Sequence, residues 1–288
     1  MFVIVGATGK VGGAAATELR RRGLPVRAVL RDVSRGERLT QLGCELAQAD
    51  LLDTQAVARA LQGAEGALVI CPLRANGDDP ASDAQRIIDS LGEAIDIARP
   101  RAVVAISDYG AQVPAGTGVT LIFHRLEARL AKTATAMTFL RSAEHMQNSA
   151  RHVRAARERG VLVSLHHPVT KLYPTVSAPD VGLIAADLLV ETPPQPGTPR
   201  IVHVEGPRRY SAQDAAQVFE RIVQRPVVPH ALERERWISA LLAGGLSEGY
   251  AQLVAELQDA HNAGHIDIEA GVGEVRRGTT ELERALIR

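Results

Sequence analysis

The sequence predicts an α/β fold in which helices cover both faces of a parallel sheet, a doubly wound arrangement. Short apolar runs rich in β-branched residues alternate with longer helical patterns along the first half of the chain. A glycine-rich segment follows the first apolar run and opens the first helical pattern. The composition, with 45% hydrophobic and 23% charged residues, is that of an ordinary globular protein.

The elements of the first half follow from this alternation. Apolar runs predict strands at 2–5, 25–30, 45–49, 67–71, 102–106 and 137–140. Helical patterns predict helices at 10–22, 54–61, about 80–98 and about 121–131. Gly23 and Pro25 end the first helix, and Thr54 is a candidate N-cap of the second. Runs that are apolar throughout indicate strands buried on both faces.

The pattern loosens after residue 150. Strands are predicted at 161–165 and 201–204, helices at 180–190 and 212–223, and a proline-rich surface loop at 192–197. From Glu233 onward we predict helices. We therefore divide the chain into a nucleotide-binding domain at 1–150 and a smaller α+β lobe at 151–288. We expect this lobe to be interleaved with the first domain, beside the carboxyl ends of the strands, as one wall of a substrate cleft.

Charge and composition exclude several classes of partner. Lysine plus arginine and aspartate plus glutamate both total 33, so no excess of cations is available for nucleic acid. Two cysteines without metal-ligand spacing predict no metal site and free thiols in a reducing compartment. The first strand begins directly after Met1 and no apolar run is long enough to span a bilayer, so we expect a cytoplasmic protein without membrane contact.

The glycine-rich segment predicts a dinucleotide site of the Rossmann type. Its glycines, spaced three apart, lie between a strand and a helix, as pyrophosphate binding requires. The first permits a tight turn, the second lets the pyrophosphate approach the backbone, and the third lets helix and strand pack closely. The free N–H groups of the helix N-terminus then face the phosphates. The residues assigned to this cradle are Gly6, Thr8, Gly9, Lys10, Val11 and Gly12.

The end of the second strand predicts which dinucleotide binds. Arg31 precedes Asp32 there, and an arginine pairs with a 2′-phosphate whereas an acid accepts from a free ribose hydroxyl. We therefore predict NADP(H) as the preferred cofactor, with NAD(H) possible if Arg31 is only a surface charge. Lys10 is a second candidate cation. Asp50 and Leu51, which close the third strand, are assigned to the adenine, although Asp50 can equally cap the strand end.

Two further strand ends are candidates for the nicotinamide side. Cys71 and Pro72 follow the fourth strand and are expected to flank the nicotinamide ribose. Ser107 ends the fifth strand and is expected to border the nicotinamide or the substrate. Strand-end packing is the alternative interpretation of Cys71 and Pro72.

Together these residues resemble the NmrA-like branch of the atypical short-chain dehydrogenases/reductases, over nearly the whole chain. The stretches that carry the resemblance are Gly6–Gly12, Leu30–Asp32, Asp50–Leu51, Ser107–Ala111, His124 with Glu127, Phe139–Arg141, His145–Asn148 and Val176–Val181. The resemblance implies dinucleotide binding. It also implies either a reductase, of the quinone oxidoreductase or triphenylmethane-dye reductase kind, or a regulator that senses the dinucleotide without chemistry.

One departure from the parent superfamily bears on catalysis. Short-chain dehydrogenases use a tyrosine and a lysine on the helix after the fifth strand, where the lysine lowers the tyrosine pKa. Counted from Glu127, those positions hold Val119 and Phe123, and neither side chain moves a proton. His124 and Tyr109 are the candidate proton donors instead, although His124 can be a helical residue without a role and Tyr109 a wall of the cleft.

The sequence thus predicts an oxidoreductase that passes hydride from NADPH to a small, flat, apolar acceptor such as a quinone. Quinone reduction can take its proton from water, so the missing pair does not exclude catalysis. The alternative is a non-catalytic NADP(H)-sensing regulator. The predicted partners are a small-molecule substrate and, as further alternatives, a second copy of the chain or a protein that receives a regulatory signal.

Overall fold

Residues 1–287 are described by a computed structural model. Its strands, in chain order, are β1 (Phe2–Val5), β2 (Val26–Leu30), β3 (Glu45–Gln48), β4 (Gly66–Val69), β5 (Ala102–Asp108), β6 (Ala136–Ser142), β7 (Glu144–His145), β8 (Val161–Ser164), β9 (Thr175–Val176), β10 (Arg200–Glu205), β11 (Val228–Ala231) and β12 (Glu274–Arg277).

The helices fill the intervals between the strands. They are α1 (Lys10–Arg21), α2 (Glu37–Gln41), α3 (Thr54–Leu61), α4 (Pro80–Ala98), α5 (Val119–Leu130), α6 (Val153–Arg159), α7 (Ala178–Val190), α8 (Ala212–Val223), α9 (Trp237–Ala243), α10 (Glu248–Ala263) and α11 (Leu282–Ile287). Short 3₁₀ helices occupy Val33–Gly36, Met146–His152 and Arg234–Arg236.

Eight parallel strands form the main sheet, in the order β12-β10-β6-β5-β4-β1-β2-β3. The strand order reverses between β1 and β4, and ligands of open α/β sheets bind at such a switch point, outside the carboxyl ends of the strands. The fold class predicted from the sequence, a doubly wound α/β sheet of the Rossmann type, is confirmed.

Alternate residues of the strands enter two separate cores. Phe2 and Ile4 pack with α1 and α7 on one face, whereas Val3 and Val5 pack with α3, α4 and α5 on the other. Successive side chains of a strand point to opposite faces, so a sheet covered on both faces needs strands that are apolar throughout. This requirement explains the run Phe2–Val5.

Helices α1 and α7 are in close contact on one face of the sheet. A Cβ added at Gly182 of α7 would lie 2.3 Å from the carbonyl oxygen of Val11 and 2.7 Å from Cβ of Ala14. Only glycine lets the two backbones approach this closely. Since α1 begins directly after the glycine-rich loop, its close contact with α7 fixes the position of that loop.

The region after Glu233 is not wholly helical, and this expectation was wrong. β12 (Glu274–Arg277) pairs in parallel with β10 and forms one edge of the main sheet. Its sequence, Glu-Val-Arg-Arg, has little apolar character because an edge strand is paired on one side only and charged residues are suited to it. The short strands β7, β9 and β11 also escaped prediction.

No helix within residues 1–287 has the length and apolar character to cross a membrane.

Candidate active site

The glycine-rich loop is closed so tightly that two of its glycines are obligatory. Gly6 has a φ of +83°, a conformation that other residues rarely adopt. A Cβ at Gly12 would lie 2.4 Å from the carbonyl oxygen of Gly6, well inside van der Waals contact. A Cβ at Gly9 would meet only the same oxygen, at 3.3 Å. Gly9 is therefore not required by the packing of the loop itself.

The N-terminus of α1 is open to an anionic ligand. Gly9 is its N-cap and supplies no side-chain hydrogen bond, and the first turn contains no acidic residue. The first N–H groups of a helix have no partner within the helix, and the helix dipole adds a partial positive charge there. These features fit a pyrophosphate group.

A cavity of about 360 Å³ opens beside this loop at the ends of β1, β2 and β3. The predicted residues Gly6, Thr8, Arg31, Asp50, Leu51 and Pro72 line it. Asp50 also accepts a hydrogen bond from the backbone N–H of Leu52 at 3.0 Å, so it caps a turn while it faces the cavity.

Three arginines line this same cavity: Arg31, Arg35 and Arg74. The neighbouring acid, Asp32, accepts hydrogen bonds from the backbone N–H of Ser34 at 3.0 Å and from its hydroxyl at 2.7 Å. These bonds lower the pKa of Asp32 and occupy one of its oxygens. Sequence reasoning found Arg31 but missed Arg35 and Arg74, which lie in a 3₁₀ turn and in a loop.

A second cavity of about 500 Å³ continues from the first and shares Gly6, Thr8, Leu51 and Pro72 with it. We call the two cavities together the groove. The second part is lined by the predicted Gly9, Lys10 and Val11 and by residues not assigned from the sequence, which are Ile70, His145, Gln147, Asn148 and Ala178.

Gln147 fixes the far wall of the groove. Its amide donates to the Ser177 hydroxyl at 3.2 Å, and its carbonyl accepts from the backbone N–H of Ala178 at 3.0 Å. The segment after β6 is thereby tied to the start of α7. In the sequence, the stretch His145–Asn148 was marked only by the family resemblance.

Besides Gly12, which packs against Gly6 within the loop, four predicted site residues do not line the groove. Cys71 is buried, and burial raises the pKa of its thiol to about 12. The Ser107 hydroxyl is buried and donates to Glu127 at 2.6 Å. Tyr109 is 1% exposed, its pKa is raised by burial, and its hydroxyl has no partner within residues 1–287. His124 places Nδ1 2.8 Å from the carbonyl oxygen of Ala111.

Glu127 is the centre of a buried ionic network under β5 and β6. Arg141 donates to both of its oxygens, at 2.9 and 2.7 Å, and to Glu269 at 2.6 Å. Glu127, Arg141 and Ser107 are all buried. The network joins β5, β6 and α5 to a segment near the C-terminus. Its members hold the strand ends that carry the site in place.

A separate group of polar residues gathers at the carboxyl ends of β5 and β6: Asp108, Glu144, His145 and Tyr250, the last from α10. All four are partly accessible. The N-terminus of α10 is held over the strand ends by the backbone bond from Ser247 N–H to the carbonyl of Ala75, at 2.9 Å. We call these four residues the polar cluster. Asp108, Glu144 and Tyr250 went unnoticed in the sequence.

The two carboxyl groups of the polar cluster have opposite protonation behaviour. Burial, with smaller contributions from the charges of Glu144 and Glu127, raises the pKa of Asp108 to about 7, although the Thr120 hydroxyl donates to it at 2.6 Å. Burial also acts on Glu144, but His166, 3.8 Å away, outweighs it and lowers that pKa to about 2. The pair therefore holds one proton, on Asp108, below pH 7 and loses it as pH rises through 7.

The other members of the polar cluster are neutral near pH 7. Burial lowers the pKa of His145, opposed in part by Glu144. Burial and the charge of Asp108 raise the pKa of Tyr250. Both side chains therefore remain uncharged and are weak acids.

The fold and the groove define a Rossmann-type dinucleotide-binding protein. A family model described as NAD(P)H-binding matches residues 6–189, which include the glycine loop, both parts of the groove and α7. The chain belongs to this NAD(P)H-binding family, and the cofactor class predicted from the sequence is confirmed.

Comparison with known proteins finds similar reductases. The chain is 24% identical over 259 residues to an NAD(P)H azoreductase of Xenophilus azovorans, covering 89% of this chain and 86% of that protein. An Escherichia coli NADPH-dependent quinone oxidoreductase solved with NADPH has a TM-score of 0.82 and 21% identity, over 100% of this chain and 99% of that one.

Two further solved structures share the fold. The triphenylmethane reductase of a Citrobacter species, solved with NADP(H), has a TM-score of 0.82 and 19% identity over 100% of this chain and 99% of that one. A mutant of NMRA has a TM-score of 0.75 and 16% identity over 99% and 94% of the two chains. The predicted resemblance to NmrA-like proteins is confirmed.

Proposed function

We propose that this protein is an NADPH-dependent reductase that passes hydride to a small, flat, apolar acceptor such as a quinone. The observation that carries the proposal is the course of the groove. It starts among three arginines, passes the uncapped N-terminus of α1, and reaches His145 in the polar cluster at the ends of β5 and β6. A dinucleotide held along it has its nicotinamide beside that cluster.

The arginines support NADPH rather than NADH. A 2′-phosphate needs charge-assisted donors, and Arg31, Arg35 and Arg74 offer guanidinium groups at the ribose end of the groove. Asp32, the acid that would favour a free 2′-hydroxyl, is already bonded to Ser34. NAD(H) binds more weakly in this interpretation, because it leaves these cations without a partner.

The wall of the groove supports an apolar acceptor. Val11, Ile70 and Pro72 line the second part of the groove, and Tyr250 adds an aromatic ring to the polar cluster. Apolar walls with few polar groups are typical of sites for planar small molecules. The similar proteins are named as an azoreductase, a quinone oxidoreductase and a triphenylmethane reductase, and these names support an acceptor with aromatic or quinonoid rings.

The test is NADPH oxidation by the purified chain with a panel of quinones, azo compounds and triarylmethane dyes. We expect turnover with at least one quinone at rates well above the background reaction without enzyme. NADPH binding is measured in parallel by calorimetry. Tight NADPH binding without turnover on any acceptor contradicts the proposal and favours the sensing regulator, for which Val119 and Phe123, in place of the tyrosine and lysine, are the supporting observation.

A further inference from the structure

We propose that Asp108 is the proton donor to the acceptor in this reaction. The inference rests on the proposed function and names the residue that supplies the proton when the acceptor takes hydride. It replaces the two candidates chosen from the sequence, Tyr109 and His124, with a residue at the end of β5.

The position of Asp108 in the sheet is the first argument. β5 lies between β4 and β6, and the groove is lined by Pro72, after β4, and by His145, after β6. The pairing of β4 with β5 ends at Val69↔Ala105, three residues before Pro72 on one strand and Asp108 on the other, and Asp108 pairs with Ser142 of β6. Asp108 therefore ends the strand between two groove-lining segments, at the edge where the nicotinamide of a Rossmann protein lies.

The surroundings of Asp108 are the second argument. The Thr120 hydroxyl of α5 donates to its Oδ2 at 2.6 Å and fixes the carboxyl group. The charges of Glu144 of β7 and Glu127 of α5 act on Asp108, while Asp108 and Arg151 act in opposite directions on the pKa of Tyr250 of α10. Two anions and a desolvated position keep a proton on Asp108, while part of the residue remains accessible. Asp108 is thus an acid with a raised pKa, in a partly accessible residue at the end of β5.

The other titratable groups nearby are poor donors. Glu144 is ionised because of His166, and His145 is neutral. Tyr109 is enclosed in the core, and His124 is bonded to the Ala111 carbonyl. Two carboxyl groups whose pKa values are driven apart are the usual arrangement by which one of them becomes a general acid near neutral pH.

The reaction balances with this single proton. A quinone takes hydride from NADPH while its oxygen takes the Asp108 proton in the same transition state, which gives neutral hydroquinone, NADP⁺ and a carboxylate. Asp108 regains a proton from solvent through its accessible part. A cationic triarylmethane dye differs, because its central carbocation is neutralised by hydride alone and needs no proton.

This difference provides the experiment. We compare wild type and Asp108→Asn with a quinone and with a cationic triarylmethane dye, under saturating NADPH. The amide still accepts from Thr120 but has no proton to transfer. We expect the ratio of quinone to dye turnover to fall by about 10²–10⁴-fold, the range of a lost general acid. The dissociation constant of NADPH is expected to change less than threefold.

The pH dependence is a second readout. Because the folded pKa of about 7 lies above the ordinary value, Asp108 carries its proton below pH 7 and loses it above. Wild-type quinone turnover is therefore expected to fall as pH rises through 7. We call this fall the pH limb, and we expect it to be absent in Asp108→Asn. In Glu144→Gln the limb moves to lower pH, because a neighbouring negative charge is removed.

Folding of the variant is checked independently. In wild type the ionised Asp108 carboxyl is disfavoured in the folded state, so stability falls as pH rises through the folded pKa of about 7. The melting temperature of Asp108→Asn, measured relative to wild type, is therefore expected to be higher at pH 8 than at pH 5. If Asp108→Asn is unstable, the shift of the pH limb in Glu144→Gln decides the matter.

The outcomes separate the two proposals. An unchanged quinone-to-dye ratio in Asp108→Asn, or an unmoved pH limb in Glu144→Gln, overturns the role of Asp108 and leaves the reductase intact. Equal losses on quinone and dye also overturn it, because they indicate damage to hydride transfer. Absence of turnover in wild type overturns both.

Discussion

The two ends of the groove are built in different ways. The proposed cofactor end rests on seven consecutive residues, Gly6 to Gly12, whose backbone N–H groups and glycine conformations fit a pyrophosphate. The proposed acceptor end lies at the polar cluster, which gathers Asp108, Glu144 and Tyr250 from three separate elements of the chain. The first needs particular backbone shapes, whereas the second needs particular pKa values. A local pattern of sequence encodes the former, and burial among distant neighbours produces the latter.

The largest expected effect falls on the network beneath the acceptor end. Arg141→Met leaves Glu127 buried with Ser107 as its one remaining donor among the described bonds, and removal of one partner of a buried ion pair typically costs about 3–5 kcal/mol. Urea unfolding measures the loss. Arg154→Met is the control, because its partner Glu158 is exposed and the pair contributes under about 0.5 kcal/mol. Similar losses in both variants would contradict a structural role for the network.

The next effect belongs to the cofactor end. Gly9→Val places a branched side chain where the pyrophosphate approaches, so we expect NADPH affinity to fall more than about 100-fold with little change in melting temperature. Gly13→Ala is the matched control, since its added Cβ also meets one carbonyl oxygen at 3.3 Å but lies outside the groove. Calorimetry and circular dichroism check the pair. Retained binding in Gly9→Val means that the loop is not the phosphate cradle.

A smaller effect is expected at the ribose. Arg31→Ala removes one charge-assisted bond worth about 1.5–3 kcal/mol, and the remaining Arg35 and Arg74 hold the loss near the lower limit, about tenfold in NADPH affinity. NADH affinity is expected to stay nearly unchanged. Arg38→Ala, an exposed arginine on α2 outside the groove, is the control. Equal NADPH affinity in wild type and Arg31→Ala rules out Arg31 as a contact of the 2′-phosphate.

The smallest effects are expected for the two proton donors suggested by the sequence. Tyr109→Phe and His124→Ala should each lower quinone turnover less than about tenfold, short of the 10²–10⁴-fold of a general acid. Tyr109 is enclosed beside His203, at a ring separation of 5.5 Å, and His124 is bonded to backbone. Steady-state kinetics at saturating NADPH test this. A 10³-fold loss in either variant would assign the proton to that residue.

The sequence by itself determined the cofactor end and the layers of the fold. Fully apolar runs such as Phe2–Val5 are recognisable because a strand covered on both faces admits no polar side chain. The spacing of Gly6, Gly9 and Gly12 is recognisable because the turn, the ligand and the helix packing each need glycine at a fixed place. Arg31 followed from its position at the end of β2. These requirements are local, so the sequence expresses them directly.

Only the tertiary structure decided the acceptor end and the sheet's far edge. β12 has no apolar pattern of its own and becomes a strand by pairing with β10. Ser107 was predicted to border the nicotinamide or the substrate, yet its hydroxyl donates to Glu127, and the adjacent Asp108 belongs to the polar cluster. The proton on Asp108 depends on Glu144 and on desolvation by elements from α5 to α10. A pKa is set by the neighbours in space, and no spacing within the chain records them.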